Sequence, residues 1–371
     1  MKKGWLRFSA KELDISLTLD SGQCFTWRKT KPFEYTNCIE TALVTLCQAR
    51  DRVEYTIISN PNQIDVEDAL HRYFHAQYSL QDMYKEWSVD PGFCAKAKRF
   101  DGLRLLNQCP VENTFSFICS ANNNISRITK MVLHLSSRYG TKAGTVHGVE
   151  IFNFPTIEQL SAATEKDLRE AGFGYRARYI FQTAVFLNQH DDWFGQFKTL
   201  DYISARKEMQ TLSGVGPKVA DCIALMSLGY LQSVPVDVHV LKVAIRDYKF
   251  SVKGAKGAKL SMTPAIYHGV AEFFRDLFGS KAGWAQTLLF IADLKKYADY
   301  DKELSIEVKK EFDSSNIKYK ELSIEVEKEF DSPNIKYKEP SIEVKKEFDS
   351  PITKSLAKDT KIATINFKVE D

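Results

Sequence analysis

The chain of 371 residues lacks any long apolar run, and this absence excludes one class of protein. A helix that spans a bilayer needs about 18 consecutive apolar residues, and no segment of this sequence reaches that length. The N-terminus also lacks the apolar core of a signal peptide, and Glu12 and Asp14 give it an acidic content that presequences avoid. The sequence therefore predicts a soluble protein with no membrane partner.

Paired cysteines are absent as well. The seven cysteines are dispersed, and no two form a Cys-x-x-Cys pair; they occupy positions 24, 38, 47, 94, 109, 119 and 222. An odd and scattered set favours reduced thiols inside the cell over a disulfide framework or a zinc site. The four-cysteine spacing of an iron–sulfur cluster is missing too. We therefore expect no metal and no cofactor.

Neither sign of charge dominates the whole chain, whose formal net charge is +3. Residues 299–371 carry 14 of the 51 basic and 18 of the 48 acidic side chains, a net charge of −4. Residues 1–298 therefore hold 37 basic and 30 acidic side chains, a net charge of +7. A moderately basic body is compatible with a nucleic-acid-binding surface but does not by itself establish one.

Residues 1–107 have the pattern of a sheet-rich domain. Apolar and polar residues alternate in Ile15–Leu19 and in Val53–Ile57, which predicts two half-buried strands. Helical patterns occupy Val66–Phe74 and the segment around Lys96. We therefore expect an N-terminal sheet accompanied by a few helices.

Residues 108–298 change to amphipathic helices joined by short polar turns, so that the two regions together predict an α+β fold. The segment 299–371 is different again. Its stretch Lys302–Asp313 recurs from Lys320 and, with one proline substitution, from Lys338. Three short charged copies cannot bury a continuous core. This tail is therefore interpreted as a disordered extension, with a docking peptide as the alternative.

The most informative segment combines two glycines, a lysine and a distant aspartate. Gly214 and Gly216 allow a sharp turn whose amide groups point outward, as a phosphate-binding hairpin requires. Lys218 then opens a helix, and Cys222, one turn later, lies on the same face. Further along the chain, Asp237 begins another helix. A lysine at the edge of an apolar stripe is partly desolvated, which favours a nucleophilic amine.

Five segments in order carry a family resemblance. They are Ser21–Arg28, Phe115–Arg127, Gly172–Arg178, Thr211–Cys222 and Gly283–Phe290. Together they resemble the eukaryotic 8-oxoguanine DNA glycosylase/apurinic lyases, which belong to the helix–hairpin–helix, Gly/Pro-Asp superfamily of base-excision enzymes. The resemblance covers roughly residues 4 to 297 and stops before the repeats. It implies an N-terminal antiparallel-sheet domain followed by a mostly helical helix–hairpin–helix region.

The resemblance also implies a bifunctional enzyme of base-excision repair that removes 8-oxoguanine opposite cytosine from duplex DNA. Lys218 would attack the sugar C1′, expel the base and form a Schiff base, after which β-elimination cuts the strand 3′ to the abasic site. Asp237 would stabilise the positive charge that develops on the sugar. On the residues alone, Lys218 could be an exposed first-turn lysine and Asp237 only a helix N-cap.

The same resemblance implies a base pocket drawn from distant segments. Gln286 and Phe290 lie four residues apart on one helix, so the amide can read a purine edge while the ring stacks on it. Cys222 would lie on the opposite face of the base. The carbonyl of Gly22 would accept the hydrogen on N7 that 8-oxoguanine carries and guanine lacks. The alternatives are a core phenylalanine, a buried thiol and a turn glycine.

Four further residues would serve the opposite strand. By resemblance, Asn122 fills the gap left by the flipped base and Tyr175 wedges beside the orphaned cytosine. Arg127 and Arg176 would bond the acceptors of that cytosine. The alternative is two arginines on phosphate and a half-buried tyrosine. The expected partner is thus duplex DNA with 8-oxoguanine opposite cytosine, bound by a monomer in the nucleus, with a mitochondrial pool as the alternative location.

Gly214, Gly216 and His239 are the candidates for contact with phosphate. His239 could also be a helix residue with a satisfied side chain, and hairpins of this type often hold a monovalent cation through their carbonyls. Ser213 departs from the family, which places proline before the hairpin, so the turn is less preorganised by about 0.4–1 kcal/mol. Residues 251–263 match the family poorly and are interpreted as a loop.

Two other functions compete with this interpretation. A glycosylase of the same superfamily that acts on a different lesion would not need the four pocket residues together. A non-enzymatic DNA-binding or scaffold protein would keep the glycine turn but would have no use for Lys218 and Asp237. The sequence therefore favours an 8-oxoguanine glycosylase with lyase activity.

Overall fold

The computed structural model describes residues 1–252, 262–297 and 323–324. Near the N-terminus, five strands form one antiparallel sheet in the order β1-β5-β4-β3-β2. The strands are β1 Lys2–Leu6, β2 Arg28–Lys31, β3 Glu34–Ile39, β4 Ala42–Gln48 and β5 Val53–Ser59. The strand predicted over Val53–Ile57 is confirmed as part of β5.

Four helices complete the N-terminal region. They are α1 Ile15–Leu19, α2 Val66–Tyr73, α3 Leu80–Trp87 and α4 Pro91–Ala97. The helical patterns over Val66–Phe74 and around Lys96 are confirmed by α2 and α4. Each of α2, α3 and α4 begins at an aspartate or serine whose side chain accepts a hydrogen bond from a first-turn amide, which explains where these helices start.

Helix α1 corrects the sequence interpretation, because a strand was predicted over Ile15–Leu19. Asp14 caps this helix by accepting a hydrogen bond from the Leu17 amide at 2.9 Å. The buried side chains are those at the first, fourth and fifth positions of the helix. A five-residue alternation matches this helical face nearly as well as it matches a strand, and the capping aspartate decides between them.

The described part of the helical region, residues 108–252 and 262–297, contains ten helices, of which α10 and α11 form the helix–hairpin–helix. The ten are α5 Pro110–Ser120, α6 Ile125–Tyr139, α7 Ile157–Ser161, α8 Glu165–Glu170, α9 Arg176–Asn188, α10 Tyr202–Met209, α11 Pro217–Ser227, α12 Val238–Tyr248, α13 Pro264–Phe278 and α14 Ala282–Ala292. Short 3-10 helices occupy Trp193–Lys198, Gly279–Lys281 and Lys295–Tyr297. This region confirms the predicted α+β fold.

A β-hairpin lies within the region that the sequence predicted to be helical. Strands β6 Lys142–Val146 and β7 Val149–Phe152 pair antiparallel through a two-residue turn in which both residues have positive φ. Val146 and Ile151 pack against Leu43 of β4. The hairpin therefore extends the core of the N-terminal sheet, a contact that the sequence interpretation did not include.

Helices α11 and α14 lie in the middle of the helical core. Eight of the 11 residues of α11 are buried, and so are ten of the 11 residues of α14. The backbones of both helices are therefore fixed by packing on nearly every side. Side chains of a site that is built on these helices are precisely positioned.

Arg104 joins the two regions. Its side chain is fully buried and donates hydrogen bonds to the backbone carbonyls of Phe74, His75 and Tyr78. It also forms an ion pair with Glu12 at 3.0 Å, and its guanidinium lies 5.6 Å from the ring centre of Trp284 in α14. Because these contacts satisfy a buried charge, Arg104 fixes α14 against the N-terminal region.

His75 makes folding sensitive to acid. The ring is buried beside Trp284, and neither ring nitrogen has a hydrogen-bond partner among the described residues. Burial and the charge of Arg104 lower the pKa of His75 to about 4, below its ordinary value of 6.5. Because the unfolded chain then binds more protons, the free energy of unfolding should fall by up to about 3 kcal/mol as pH drops from 6.5 to 4.

Denaturant unfolding of the wild type and of His75→Phe across that pH range tests this expectation. The variant should lose most of the extra pH slope, because it has no imidazole to protonate. Identical slopes in the two proteins would contradict the assignment to His75.

The tail lies largely outside the described residues, and so do residues 253–261, most of the predicted loop. A short strand, β8 Ser251–Val252, directly precedes residues 253–261, and another, β9 Ser323–Ile324, lies within the tail. The two strands pair in parallel. The predicted loop over 251–263 therefore begins with a strand, and one Ser-Ile pair of the second repeat forms a strand within the segment predicted to be disordered. The described residues contain no helix with the length and apolarity needed to cross a membrane.

Candidate active site

The hairpin between α10 and α11 is built from glycines. Gly214 has φ of +81°, and a Cβ at this position would lie 2.7 Å from the Cβ of Tyr179, so only glycine fits. Gly216 is the N-cap residue of α11 and, as a glycine, has no side chain to bond the first-turn amides. Ser213, which replaces the family's proline, accepts a hydrogen bond on its carbonyl from Thr183 Oγ1 at 2.8 Å. The buried threonine thus holds the turn, and the amides at the helix start remain available to an anion.

Lys218 is the second residue of α11 and is half-buried. Its Nζ lies 4.8 Å from the ring centre of Phe117 in α5, an arrangement in which the ring face attracts the ammonium. Cys222 lies on the same face and is 2 % exposed. Burial raises the pKa of Cys222 to about 11, and the Lys218 ammonium opposes this rise. The cysteine is therefore a neutral thiol beside the lysine at neutral pH.

Asp237 caps α12 as the sequence indicated. Its Oδ1 accepts hydrogen bonds from the amides of His239 at 2.9 Å and Val240 at 3.0 Å. Its Oδ2 has no hydrogen-bond partner among the described residues. The carboxylate charge also reaches Cys222, whose pKa it raises, so it lies near the face that carries Lys218. One oxygen therefore serves the helix and the other is available to the site.

Helix α14 brings the predicted base-reading pair to the same region. Gly283 allows a close approach, because a Cβ there would lie 1.9 Å from the carbonyl oxygen of Ser233. Gln286 is 3 % exposed, yet its amide has no protein hydrogen-bond partner within the described ranges. Neither amide atom is among the fully buried side-chain atoms that lack a partner, so the amide keeps some exposure through which a bound polar ligand can reach it. Phe290 is half-buried, and its ring stands perpendicular to that of His239 at 6.0 Å.

His239 is oriented by a carboxylate that sequence reasoning missed. Its Nδ1 lies 3.1 Å from Oδ2 of Asp293, and Oδ1 of Asp293 accepts from Arg246 Nη1 at 2.8 Å. The histidine ring is 38 % exposed and so reaches solvent. With Nδ1 engaged by the carboxylate, Nε2 is the nitrogen left to meet a phosphate.

The loop that contains Gly22 is tied to α11. Gly22 has φ of +86°, which favours glycine, and the carbonyl of the next residue, Gln23, accepts from Gln108 Nε2 at 2.9 Å. The backbone N–H of Gln108 donates to the carbonyl of Met226 in α11 at 2.7 Å. The structure therefore connects the Gly22 loop to the helix of the predicted nucleophile through two hydrogen bonds.

The predicted opposite-strand residues form a second cluster. Tyr175 Oη and the guanidinium of Arg176 both donate to the Ala121 carbonyl, and Arg176 also reaches the carbonyl of Asn122 at 2.9 Å. Arg127 donates to the Gly172 carbonyl at 3.1 Å and is exposed. Arg176 is only 3 % exposed, so in this structure it mainly positions the loop that carries Asn122. Asn122 itself is exposed in a left-handed conformation with φ of +48°.

Sequence reasoning missed four residues that shape the site: Phe117, Asp221, Tyr267 and Asp293. Only Asp221 left a readable signal, because it is an acidic residue among the mostly apolar residues of α11. The others contact the site from elements distant in sequence. Among the described residues, no group of three or more histidine, cysteine or acidic side chains could hold a metal ion.

An antiparallel sheet followed by a helix–hairpin–helix, with a lysine in the second helix and an aspartate capping another, defines a base-excision DNA glycosylase. Residues 115–262 match the HhH-GPD superfamily of base excision DNA repair proteins. Residues 5–114 match the N-terminal domain of 8-oxoguanine DNA glycosylase.

Named relatives agree with both matches. The chain is 40% identical over 296 residues to N-glycosylase/DNA lyase OGG1 of Arabidopsis thaliana, covering 78% of this chain and 80% of the relative. It is 36% identical over 327 residues to N-glycosylase/DNA lyase of Saccharomyces cerevisiae, covering 79% and 86%. A crystal structure of the Clostridium acetobutylicum 8-oxoguanine glycosylase/lyase, in complex with dsDNA containing cytosine opposite 8-oxoG, is 27% identical with a TM-score of 0.67, covering 82% and 99%.

The chain therefore belongs to the eukaryotic 8-oxoguanine DNA glycosylase family. The predicted enzyme class, a DNA N-glycosylase with lyase activity, is confirmed, as is the predicted role in the base-excision repair of 8-oxoguanine. DNA is the partner of this enzyme.

Proposed function

We propose that the enzyme removes 8-oxoguanine opposite cytosine from duplex DNA through a Schiff base on Lys218. The observation that carries this proposal is the placement of Lys218 between an aromatic ring and a neutral thiol, with the carboxylate of Asp237 acting on the same thiol. The attack on C1′ uses the lone pair of this amine, because only the neutral amine is a nucleophile.

The reaction proceeds in three bond exchanges: displacement of the base, opening of the sugar ring and β-elimination. The lone pair of the Lys218 amine forms a bond to C1′ while the glycosidic bond breaks and its electron pair leaves with the base, which takes up a proton. Asp237 stabilises the positive charge that develops on the sugar, using the oxygen that the α12 amides leave free. Ring opening gives the Schiff base, loss of a C2′ proton follows, and β-elimination cleaves the strand 3′ to the site.

The enzyme reads the damaged base after that base has been flipped out of the duplex into the pocket. The carbonyl of Gly22 accepts the N7 hydrogen of 8-oxoguanine, whereas guanine would set an acceptor against an acceptor. The amide of Gln286, whose side chain makes no hydrogen bond to the described residues, meets the Watson–Crick edge. Phe290 and Cys222 hold the two faces of the base.

The orphaned cytosine is met by the second cluster. Arg127 and Arg176 donate to its acceptors, Tyr175 wedges beside it, and Asn122 fills the space left by the flipped base. Arg176 keeps one terminal nitrogen, Nη1, free of protein partners in the described part of the chain, so it can support the Asn122 loop and still offer a donor.

The DNA backbone is bound at the hairpin. The amides around Gly214 and Gly216 and the Nε2 of His239 contact phosphates near the lesion, with a monovalent cation on the hairpin carbonyls as a further element. The enzyme acts as a monomer in the nucleus, with a mitochondrial pool as the alternative location and no membrane partner.

Borohydride trapping tests the proposal. Reduction should leave a covalent adduct on a duplex holding 8-oxoguanine opposite cytosine and none on the same duplex with guanine. Specific binding without an adduct would instead mean that the enzyme does not pass through a lysine Schiff base.

Replacing Phe290 with alanine should weaken lesion recognition while sparing the lysine chemistry. Loss of one stacking ring is expected to cost about 1–3 kcal/mol of base binding, so base release at subsaturating duplex should slow about 5- to 150-fold. Trapping on a preformed abasic site should stay near the wild-type level, because that substrate has no base to stack.

Phe186→Ala is the matched control for this variant. Phe186 of α9 is also half-buried, but it stacks on His190, which lies just beyond the end of that helix and away from the pocket. It should leave both readouts unchanged. Equal loss of base release and of abasic-site trapping in Phe290→Ala would refute the assignment of Phe290 to the base pocket.

A further inference from the structure

Asp221 is a fully buried carboxylate at the centre of the site's framework. It follows Lys218 by three residues on α11 and directly precedes Cys222. Its oxygens accept hydrogen bonds from Tyr202 Oη at 2.7 Å and Arg206 Nε at 3.0 Å, and further from Ser233 Oγ and Tyr267 Oη. A buried charge with this many partners is satisfied, and removal of one partner leaves it partly unpaired.

Tyr267 connects this carboxylate to the chain segment that leads to Asp237. Its hydroxyl donates to Asp221 Oδ2 and accepts from the backbone amide of Val236 at 3.3 Å. Val236 immediately precedes Asp237. Tyr267 belongs to α13 and is 5 % exposed. Its hydroxyl therefore bridges the helix of Lys218 and the residue next to Asp237.

A second tether runs parallel to the first. Ser233 lies four residues before Asp237, and its hydroxyl lies 3.0 Å from the backbone carbonyl of Asp221 and 3.1 Å from its carboxylate. Among the described residues no hydrogen bond joins Lys218 directly to Asp237. Their spacing is therefore set through α11 and the chain leading to Asp237, the two elements that these tethers hold together.

We propose that Tyr267, acting through Asp221, is a positioning residue that sets the distance between the Lys218 amine and the Asp237 carboxylate. This inference rests on the proposed function, in which the two side chains act on one sugar. Misplacing a reacting pair by a fraction of an ångström lowers the rate of the chemical step without removing any contact with DNA. Loss of the hydroxyl should thus appear in the rate of base release and not in DNA affinity.

Tyr267→Phe tests the proposal, with Tyr248→Phe as its matched control. Tyr248 is likewise buried, and its hydroxyl donates to the carboxylate of Asp90 at 3.0 Å; it is the last residue of α12, at the end of the helix opposite to Asp237. Full-length proteins are compared by single-turnover base release from a duplex with 8-oxoguanine opposite cytosine, by the Kd for that duplex, and by Tm.

Tyr267→Phe should slow single-turnover base release about ten-fold while its Kd stays within about two-fold of the wild type. Tyr248→Phe should lower Tm by a similar amount and keep the wild-type rate. A wild-type rate in Tyr267→Phe, or an equal loss of rate in both variants, would overturn the proposal. Failure of the wild type itself to release the base would instead overturn the proposed function.

Ser233→Ala keeps the test decisive should Tyr267→Phe fail to fold. It removes the second tether by deleting one small hydroxyl, and it should also slow base release at unchanged Kd. Unaltered base release in that case would count against positioning through Asp221.

Discussion

Replacing Lys218 with glutamine is expected to abolish base release and strand cleavage, with a loss of more than about 10³-fold in single-turnover rate. Glutamine has similar length but no nucleophilic amine, so no bond to C1′ can form. DNA binding should persist within a few-fold, because the lysine faces Phe117 and Cys222 and the hairpin amides that grip phosphate are untouched.

Two measurements distinguish a loss of chemistry from a loss of DNA binding. Borohydride trapping should give no adduct with Lys218→Gln, and the Kd for lesion-containing duplex should match the wild type. Lys166→Gln is the control, since Lys166 is 83% exposed on α8. An adduct that persists in Lys218→Gln would show that another amine is the nucleophile.

Asp237→Asn is expected to produce the second largest effect, a fall of roughly 10²- to 10³-fold in base release. Asparagine is as good an N-cap as aspartate, so it should keep the hydrogen bonds to the amides of His239 and Val240. What it removes is the negative charge beside the sugar. The substitution therefore distinguishes electrostatic stabilisation from helix capping, the two roles that the sequence left open.

Asp237→Ala provides the comparison, because it removes both the charge and the cap. Asp237→Asn should keep Tm within about one degree of the wild type, whereas the alanine variant should lose about 1 kcal/mol of stability. The two variants should nevertheless be equally slow in base release. If Asp237→Asn kept the wild-type rate, the carboxylate would be a cap only.

Local patterns indicated where the chain places several of the proposed site residues. The hairpin glycines, the lysine one turn before the cysteine, and the aspartate at a helix start are all relations within a few residues of chain. Such relations are set by backbone geometry, which spacing encodes directly. The pair Gln286 and Phe290 was predicted for the same reason, since both occupy one helix.

Local patterns failed where two structures satisfy the same short sequence. The alternation over Ile15–Leu19 matched a strand, but the Asp14 cap makes it a helix. The β6–β7 hairpin was not foreseen, because its reason for existing is the apolar surface of Leu43 on a distant strand. Pattern reasoning sees neither a partner surface nor the burial that it offers.

By itself, the sequence determined the family and the α+β order of the chain, and it singled out Lys218 and Asp237 as the proposed reacting pair, because motifs and caps are local. Only the tertiary structure decided how these residues are held. The Tyr267–Asp221 bond spans 46 positions and the His239–Asp293 contact spans 54. Spacing carries no information over such separations, since burial of a carboxylate and its partners is settled only when helices from different parts of the chain pack together.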